Sequence, residues 1–149
     1  MKKITVPREK AVFWLDKNGC WHNEHGPFEH KKVIRYFHAA IRKDAGGYHV
    51  YQQSDEFEEK VYFNFEDTAL FVFDLILDGD ITAVLNTQKK ILLNPKELFI
   101  RKDNLYVQLG DEIAKFTSQS LVTLSKRLFH EGEGVFIETN AGRVAIKRK

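Results

Sequence analysis

The chain has 149 residues, of which 43% are hydrophobic, 13% aromatic and 30% charged, with a formal net charge of +2. This balance excludes a disordered or collagen-like chain and a strongly basic DNA-binding one, and it leaves room for one domain or two small ones. A single cysteine, Cys20, excludes an intrachain disulfide, and no apolar stretch approaches the ~20 residues of a membrane helix.

The start, Met1-Lys2-Lys3-Ile4-Thr5-Val6-Pro7-Arg8, is basic with no long apolar run behind it, so a signal peptide is not expected and the expected location is cytoplasmic. Val12 to Leu15 reads as a short strand, Asp16-Lys17-Asn18-Gly19 as a tight turn, and Cys20-Trp21-His22 as the returning strand. His25-Gly26-Pro27 breaks that pattern. The spacing of Val33, Ile34, Phe37, Ala40 and Ile41 predicts a helix from about Glu29 to Lys43, with Lys31, Arg35 and Arg42 on the opposite face. Asp44-Ala45-Gly46-Gly47 is expected to stop it.

Strands are expected at Tyr48 to Gln53, at Lys60 to Glu66, and at Ala69 to Leu77, the last nearly all apolar and therefore central. Further strands are read at 81–85, 91–93, 98–101 and 105–107. A second helix is predicted from about Ser118 to Phe129, followed by a hairpin over 135–138 and 144–146. The expected core includes Phe37, Ile41, Phe63, Phe65, Phe71, Phe73, Leu121 and Leu128.

The two helix-containing stretches align with one another at a nearly constant offset. Val12 to Asn18 matches Leu98 to Asn104, Val33-Ile34 matches Leu121-Val122, and Gly47 to Val50 matches Gly134 to Ile137. The expected architecture is α+β, with two repeated hairpin-helix-hairpin units and antiparallel sheets. Units are expected over 1–67 and 68–149, with a ligand cleft where they meet. Charge divides unevenly as well: residues 54–80 carry −8 and the rest of the chain +10. Such a division provides either internal complementarity or two surfaces for different partners.

Several residues are candidates for a site. The basic stripe Lys31, Arg35 and Arg42, with His38 beside it, suits a phosphate or carboxylate. Trp21 and His22 sit on a short hairpin next to it and complete the candidate ligand site. His22, His25 and His30 are spaced like no metal motif and have no cysteine pair, so no metal and no cofactor are expected. Cys20 and His22 share a strand face at i and i+2 but lack a third group to orient them, so a structural thiol is expected. Asp74, inside an apolar run, either points to the wet face or is buried with a raised pKa. Phosphate-binding loops, nucleophile elbows, His-Glu-x-x-His and Cys-x-x-Cys are missing from the sequence.

Gly19-Cys20-Trp21-His22, Gly26-Pro27-Phe28, the helix from Val33 to Phe37 and Gly47-Tyr48-His49-Val50 together resemble the N-terminal half of the bacterial family named domain of unknown function 1285. Val61 to Asp67 resembles its acidic strand. Leu98 to Arg101, Leu105 to Val107 and Ser120 to Val122 resemble its C-terminal half. The chain departs from that pattern at Lys115 to Ser118. The resemblance implies an α+β fold with repeated units, and a signalling or ligand-binding role.

The function expected from these readings is a non-enzymatic binding or regulatory module for a small anionic ligand or a protein partner. One alternative is an enzyme assembled from distant residues such as Asp74, His38 and Arg35. Another, less expected, is a single-strand nucleic-acid binder that stacks bases on Trp21 and Tyr48 beside Lys31, Arg35 and Arg42. Exposed strand edges would allow a dimer.

Overall fold

The computed structural model describes Met1–Lys149. The fold is α+β, with two short helices among many strands. The chain divides into two compact units, Met1–Ala69 and Leu70–Lys149. No helix is long and apolar enough to cross a membrane.

In the first unit the strands are β1 (Lys2–Val6), β2 (Phe13–Leu15), β3 (Trp21–Asn23), β4 (Gly26–Pro27), β5 (Ile41–Asp44), β6 (Gly47–Gln53), β7 (Phe57–Tyr62) and β8 (Asn64–Phe65), with helix α1 (Lys31–Ala39) between β4 and β5. They form two sheets, ordered β1-β7-β6-β5 and β4-β3-β2-β8. The chain crosses from one to the other at Phe63, which is fully buried. The alternation read across 60–66 is therefore two strands in two sheets rather than one.

The predicted helix over 29–43 is longer than the helix that forms. The amide of Ala40 closes α1 on the carbonyls of Tyr36 and Phe37, and Ile41 begins β5, opposite Val50 of β6. Asp44 to Gly47 is thus a hairpin turn. Gly47 has φ +109°, a conformation that a β-carbon disfavours. Ile41 and Val50 are both buried, so a cross-strand apolar pair overrides the helical period, as tertiary packing commonly does.

The second unit contains β9 (Leu70–Asp78), β10 (Asp80–Leu85), β11 (Lys90–Leu92), β12 (Leu98–Arg101), β13 (Asn104–Leu109), β14 (Glu112–Phe116), helix α2 (Ser118–Leu124), β15 (Leu128–Glu131), β16 (Gly134–Thr139), β17 (Gly142–Ala145) and β18 (Lys147–Arg148). One sheet has seven strands, β11-β10-β9-β14-β13-β12-β18, and the other three, β15-β16-β17. The second predicted helix is also too long. A single 3-10 turn at Ser125–Arg127 ends it, and Leu128 enters β15.

Most strand pairs are antiparallel, but β1 with β7, β2 with β8, β9 with β14 and β12 with β18 are parallel. The registers of β5 with β6 and of β15 with β16 correspond residue for residue. Ile41 faces Val50 and Asp44 faces Gly47; Leu128 faces Ile137 and Glu131 faces Gly134. Each hairpin follows a helix, and each helix follows a three-strand meander, β2-β3-β4 or β12-β13-β14.

The core contains Leu15, Trp21, Ile41, Val50 and Phe63 in the first unit, and Phe71, Val72, Leu98, Phe99, Val107, Leu124 and Ile137 in the second. Phe73 is not among them. The register between β9 and β10 passes from Asp74 directly to Val72, so Phe73 is the extra residue of a β-bulge and turns outward, 36% exposed. The same bulge leaves Asp74 exposed beside it. Phe37, Phe65, Leu121 and Leu128 are half-buried rather than fully enclosed.

Candidate functional site

Trp21 is 1% exposed. Its ring packs edge-on against Phe13, Phe37 and Phe63. The indole Nε1–H donates to His38 Nδ1 at 3.3 Å. His38 is on the inner side of α1 and 3% exposed. Because Nδ1 accepts, the ring proton of the neutral imidazole is on Nε2. Burial pushes the His38 pKa down to about 4, against a backbone hydrogen bond with Gly19 that favours the charged form. This pair fastens the β2–β3 hairpin to α1. Its enclosure rules out Trp21 as a stacking platform for bases and removes His38 from the surface stripe.

His22 belongs to a separate, shallower network. Its Nε2 donates to Asp16 Oδ2 at 2.7 Å, and its ring stacks on Trp14 with centroids 5.6 Å apart. Burial raises the Asp16 carboxyl, but the Cys20 amide, His22 and the Asn18 amide outweigh it and hold the pKa below the ordinary value. Partial burial, with the Asp16 charge beside it, pushes the Cys20 thiol up, the opposite of what a nucleophile requires.

Lys31 and Arg35 are exposed one turn apart on α1. Arg42 is not on that helix; it is on β5, with its guanidinium 4.0 Å above the Tyr51 ring. The expected stripe therefore reduces to Lys31 and Arg35. On α1, Arg35 is exposed while His38, three residues on, is buried, and Asp74 is an exposed residue of β9 whose Oδ1 accepts from the next amide. Of the three residues proposed for a dispersed catalytic site, His38 is enclosed in the first unit and Asp74 belongs to the second.

The three histidines read as a loose cluster are also separated. No group of three His, Cys, Asp or Glu side chains takes up a metal-binding arrangement. His25 and His30, however, meet at a groove of about 500 Å³ between the turn after β3 and α1. Pro27, Phe28, Val33 and Phe37 supply its apolar lining, and Asn23, Glu29 and the two histidines its polar rim. Phe28 and Phe37 meet edge to face at 5.0 Å, and both rings pack on buried Trp21. Val33 remains 40% exposed. The helix opens on His30, whose side chain caps no amide, with no acidic residue in its first turn. In the sequence, Gly26-Pro27 marks only a broken pattern. The groove depends on β4 folding back against β3, a pairing of two residues, His22 with Pro27 and Asn23 with Gly26.

A polar cluster on the β5-β6-β7 face escaped sequence reasoning. Asp44 accepts from Lys60 Nζ and Tyr62 Oη, each at 2.9 Å, and from the Gly46 amide. Lys60 first, then Tyr62, holds the Asp44 carboxyl at about 2. Every polar partner in the cluster is engaged, which suits a structural clasp on the hairpin turn.

No family model and no curated protein matches the chain. Two solved structures resemble it. The crystal structure of a DUF1285 family protein from Silicibacter pomeroyi DSS-3 superposes with a TM-score of 0.65 at 12% identity, covering 97% of this chain and 81% of that one. A DUF1285 family protein from Shewanella baltica OS155 superposes with a TM-score of 0.55 at 15% identity, covering 77% of this chain and 91% of that one. At these identities the likeness is one of fold, and in its fold the chain resembles the DUF1285 family.

Proposed function

We propose that the chain is a non-enzymatic binding module, and that the groove between 23–30 and α1 is where it takes up an anionic ligand with an apolar body. The carrying observation is the uncovered apolar lining. Phe28, Val33 and Phe37 face about 500 Å³ of open space, a volume typical of ligand sites. Outside the lining, the exposed Lys31, Lys32 and Arg35 outnumber the carboxylates Glu24 and Glu29 near this end of α1, which favours an anion.

We also read the two meander-helix-meander segments as copies of one unit. The matching registers of β5–β6 and β15–β16 support this reading. So does the last short strand of each segment, β8 or β18, which pairs parallel with the first strand of its own meander, β2 or β12.

A thermal-shift screen against organic acids, nucleotides and oligonucleotides tests the binding reading, because a ligand of the folded state raises its stability. The expected outcome is stabilisation by an apolar anion that Val33→Glu cancels. Turnover of the stabilising compound, or a shift that Val33→Glu leaves intact, contradicts it.

A further inference from the structure

We propose that the ligand of this groove is an extended peptide, apolar with acidic flanks, that adds as a strand beside β4. The proposal rests on the groove being the binding site, and the second unit supplies its geometry.

The hairpins after the two helices correspond 87 residues apart along the chain. The same spacing carries the helix-opening residue His30 onto Thr117. It carries the groove residues Pro27, Val33 and Phe37 onto Ala114, Ser120 and Leu124, so Val33 corresponds to Ser120 and not to Leu121, the match expected from the sequence. The second-unit residues are covered: Ala114 is 0%, Ser120 1% and Leu124 0% exposed. Two of the three first-unit counterparts are open, Pro27 being exposed and Val33 40% exposed, while Phe37 is half-buried.

The cover in the second unit is β9. Leu70, Phe71 and Val72 pair parallel with Ala114, Lys115 and Phe116. The amide of Thr117 donates to the Val72 carbonyl at 3.2 Å, and α2 packs against the same strand. In the first unit nothing takes that place, and β4 is the outermost strand of its sheet.

The open edge is chemically able to receive a strand. The Phe28 amide donates inward to the Trp21 carbonyl at 2.9 Å, so by strand alternation the main-chain groups of Pro27 point outward. A proline there sacrifices no bond to β3 and leaves its carbonyl for an incoming amide. The incoming strand would set alternate side chains against Phe28, Val33 and Phe37, the arrangement of strand-addition recognition.

Charge selects the flanks. Lys31, Lys32 and Arg35 outnumber Glu24 and Glu29 around this end of α1, and all five are exposed. The segment that fills the equivalent place in the second unit carries Glu66 and Asp67 before its apolar run and Asp74 after it. An apolar strand with carboxylates at its ends complements the groove in the same way.

The test uses a fluorescently labelled peptide copying residues 66–74, titrated into the full chain by fluorescence anisotropy. Val33→Glu and Val122→Glu are compared with the original chain; both positions are exposed, at 40% and 70%, and thermal denaturation checks that each variant folds. The expected result is saturable binding, weakened at least about tenfold by Val33→Glu and unchanged by Val122→Glu. A scrambled peptide should bind at least about tenfold more weakly. Equal binding to the original chain and to Val33→Glu, or equal binding of the scrambled peptide, overturns the proposal. If the peptide does not bind while a small organic anion stabilises the original chain but not Val33→Glu, the groove reading stands and the strand reading falls. If neither binds, both fall.

Discussion

His38 shows how one buried ring shapes the behaviour of the whole first unit. Its ordinary pKa of 6.5 falls to about 4 in the folded chain. Between those values the unfolded chain binds a proton that the folded chain excludes. Stability is therefore complete above about pH 6.5 and declines as pH falls toward 4, by about 3 kcal/mol in all. Denaturation curves between pH 7 and 4 should show this loss, and His38→Gln should flatten it. A variant that keeps the original slope would assign the effect elsewhere. Two neighbouring phenylalanines offer a second comparison. Phe71 is fully buried, whereas Phe73 is turned out by the bulge. Phe71→Ala should cost about 3–5 kcal/mol and Phe73→Ala under about 1 kcal/mol. The apolar run from Ala69 to Leu77 marks a central strand correctly, but no residue in it signals the bulge. Only the register against β10 does.

The helices and hairpins were partly legible. Apolar spacing locates both helices: on α1, Ile34 and Phe37 are half-buried while Lys31 and Arg35 are exposed. It overruns each C-terminus, because Ile41 and Leu128 continue the helical period while their contacts belong to strand pairs. The β2–β3 hairpin was readable from Asn18-Gly19. Strand β14 was not, because Lys115 interrupts its apolar pattern although it is buried. The clasp at the β5–β6 turn was invisible because Asp44, Lys60 and Tyr62 come from two separate strands. A β-carbon at Gly46 would lie 2.9 Å from the Tyr62 ring. Gly46→Ala should push that ring away from Asp44. The Asp44 pKa, about 2 in the folded chain, should then rise toward 3.8. A carbon-detected NMR titration reads this directly, and an unchanged Asp44 titration would mean that the ring has stayed in place. The sign for stability follows: the clasp contributes above pH 3.8 and is lost as pH falls through 2.

For the whole molecule, the sequence pointed to the α+β class and to the DUF1285 likeness through the order of short motifs, none of them specific alone. The site was less legible. Trp21, His22, Lys31, Arg35, His38 and Arg42 are neighbours in sequence, yet folding distributes them among the core, an Asp16 network, the α1 surface and a stack on Tyr51. Burial of a side chain depends on which element covers it, and one strand's pattern does not reveal that. The groove owes its openness to the same cause, since nothing covers β4 in the way β9 covers β14. The central claim is that this uncovered place is where the molecule binds. Amide chemical-shift mapping with a set of small aromatic and aliphatic carboxylates tests it most directly. The account predicts shifts confined to Asn23 through Phe37 and lost in Val33→Glu. Shifts centred instead on the smaller cavity at Gly79, Asp80 and Asn140, or shifts that persist in Val33→Glu, would contradict it.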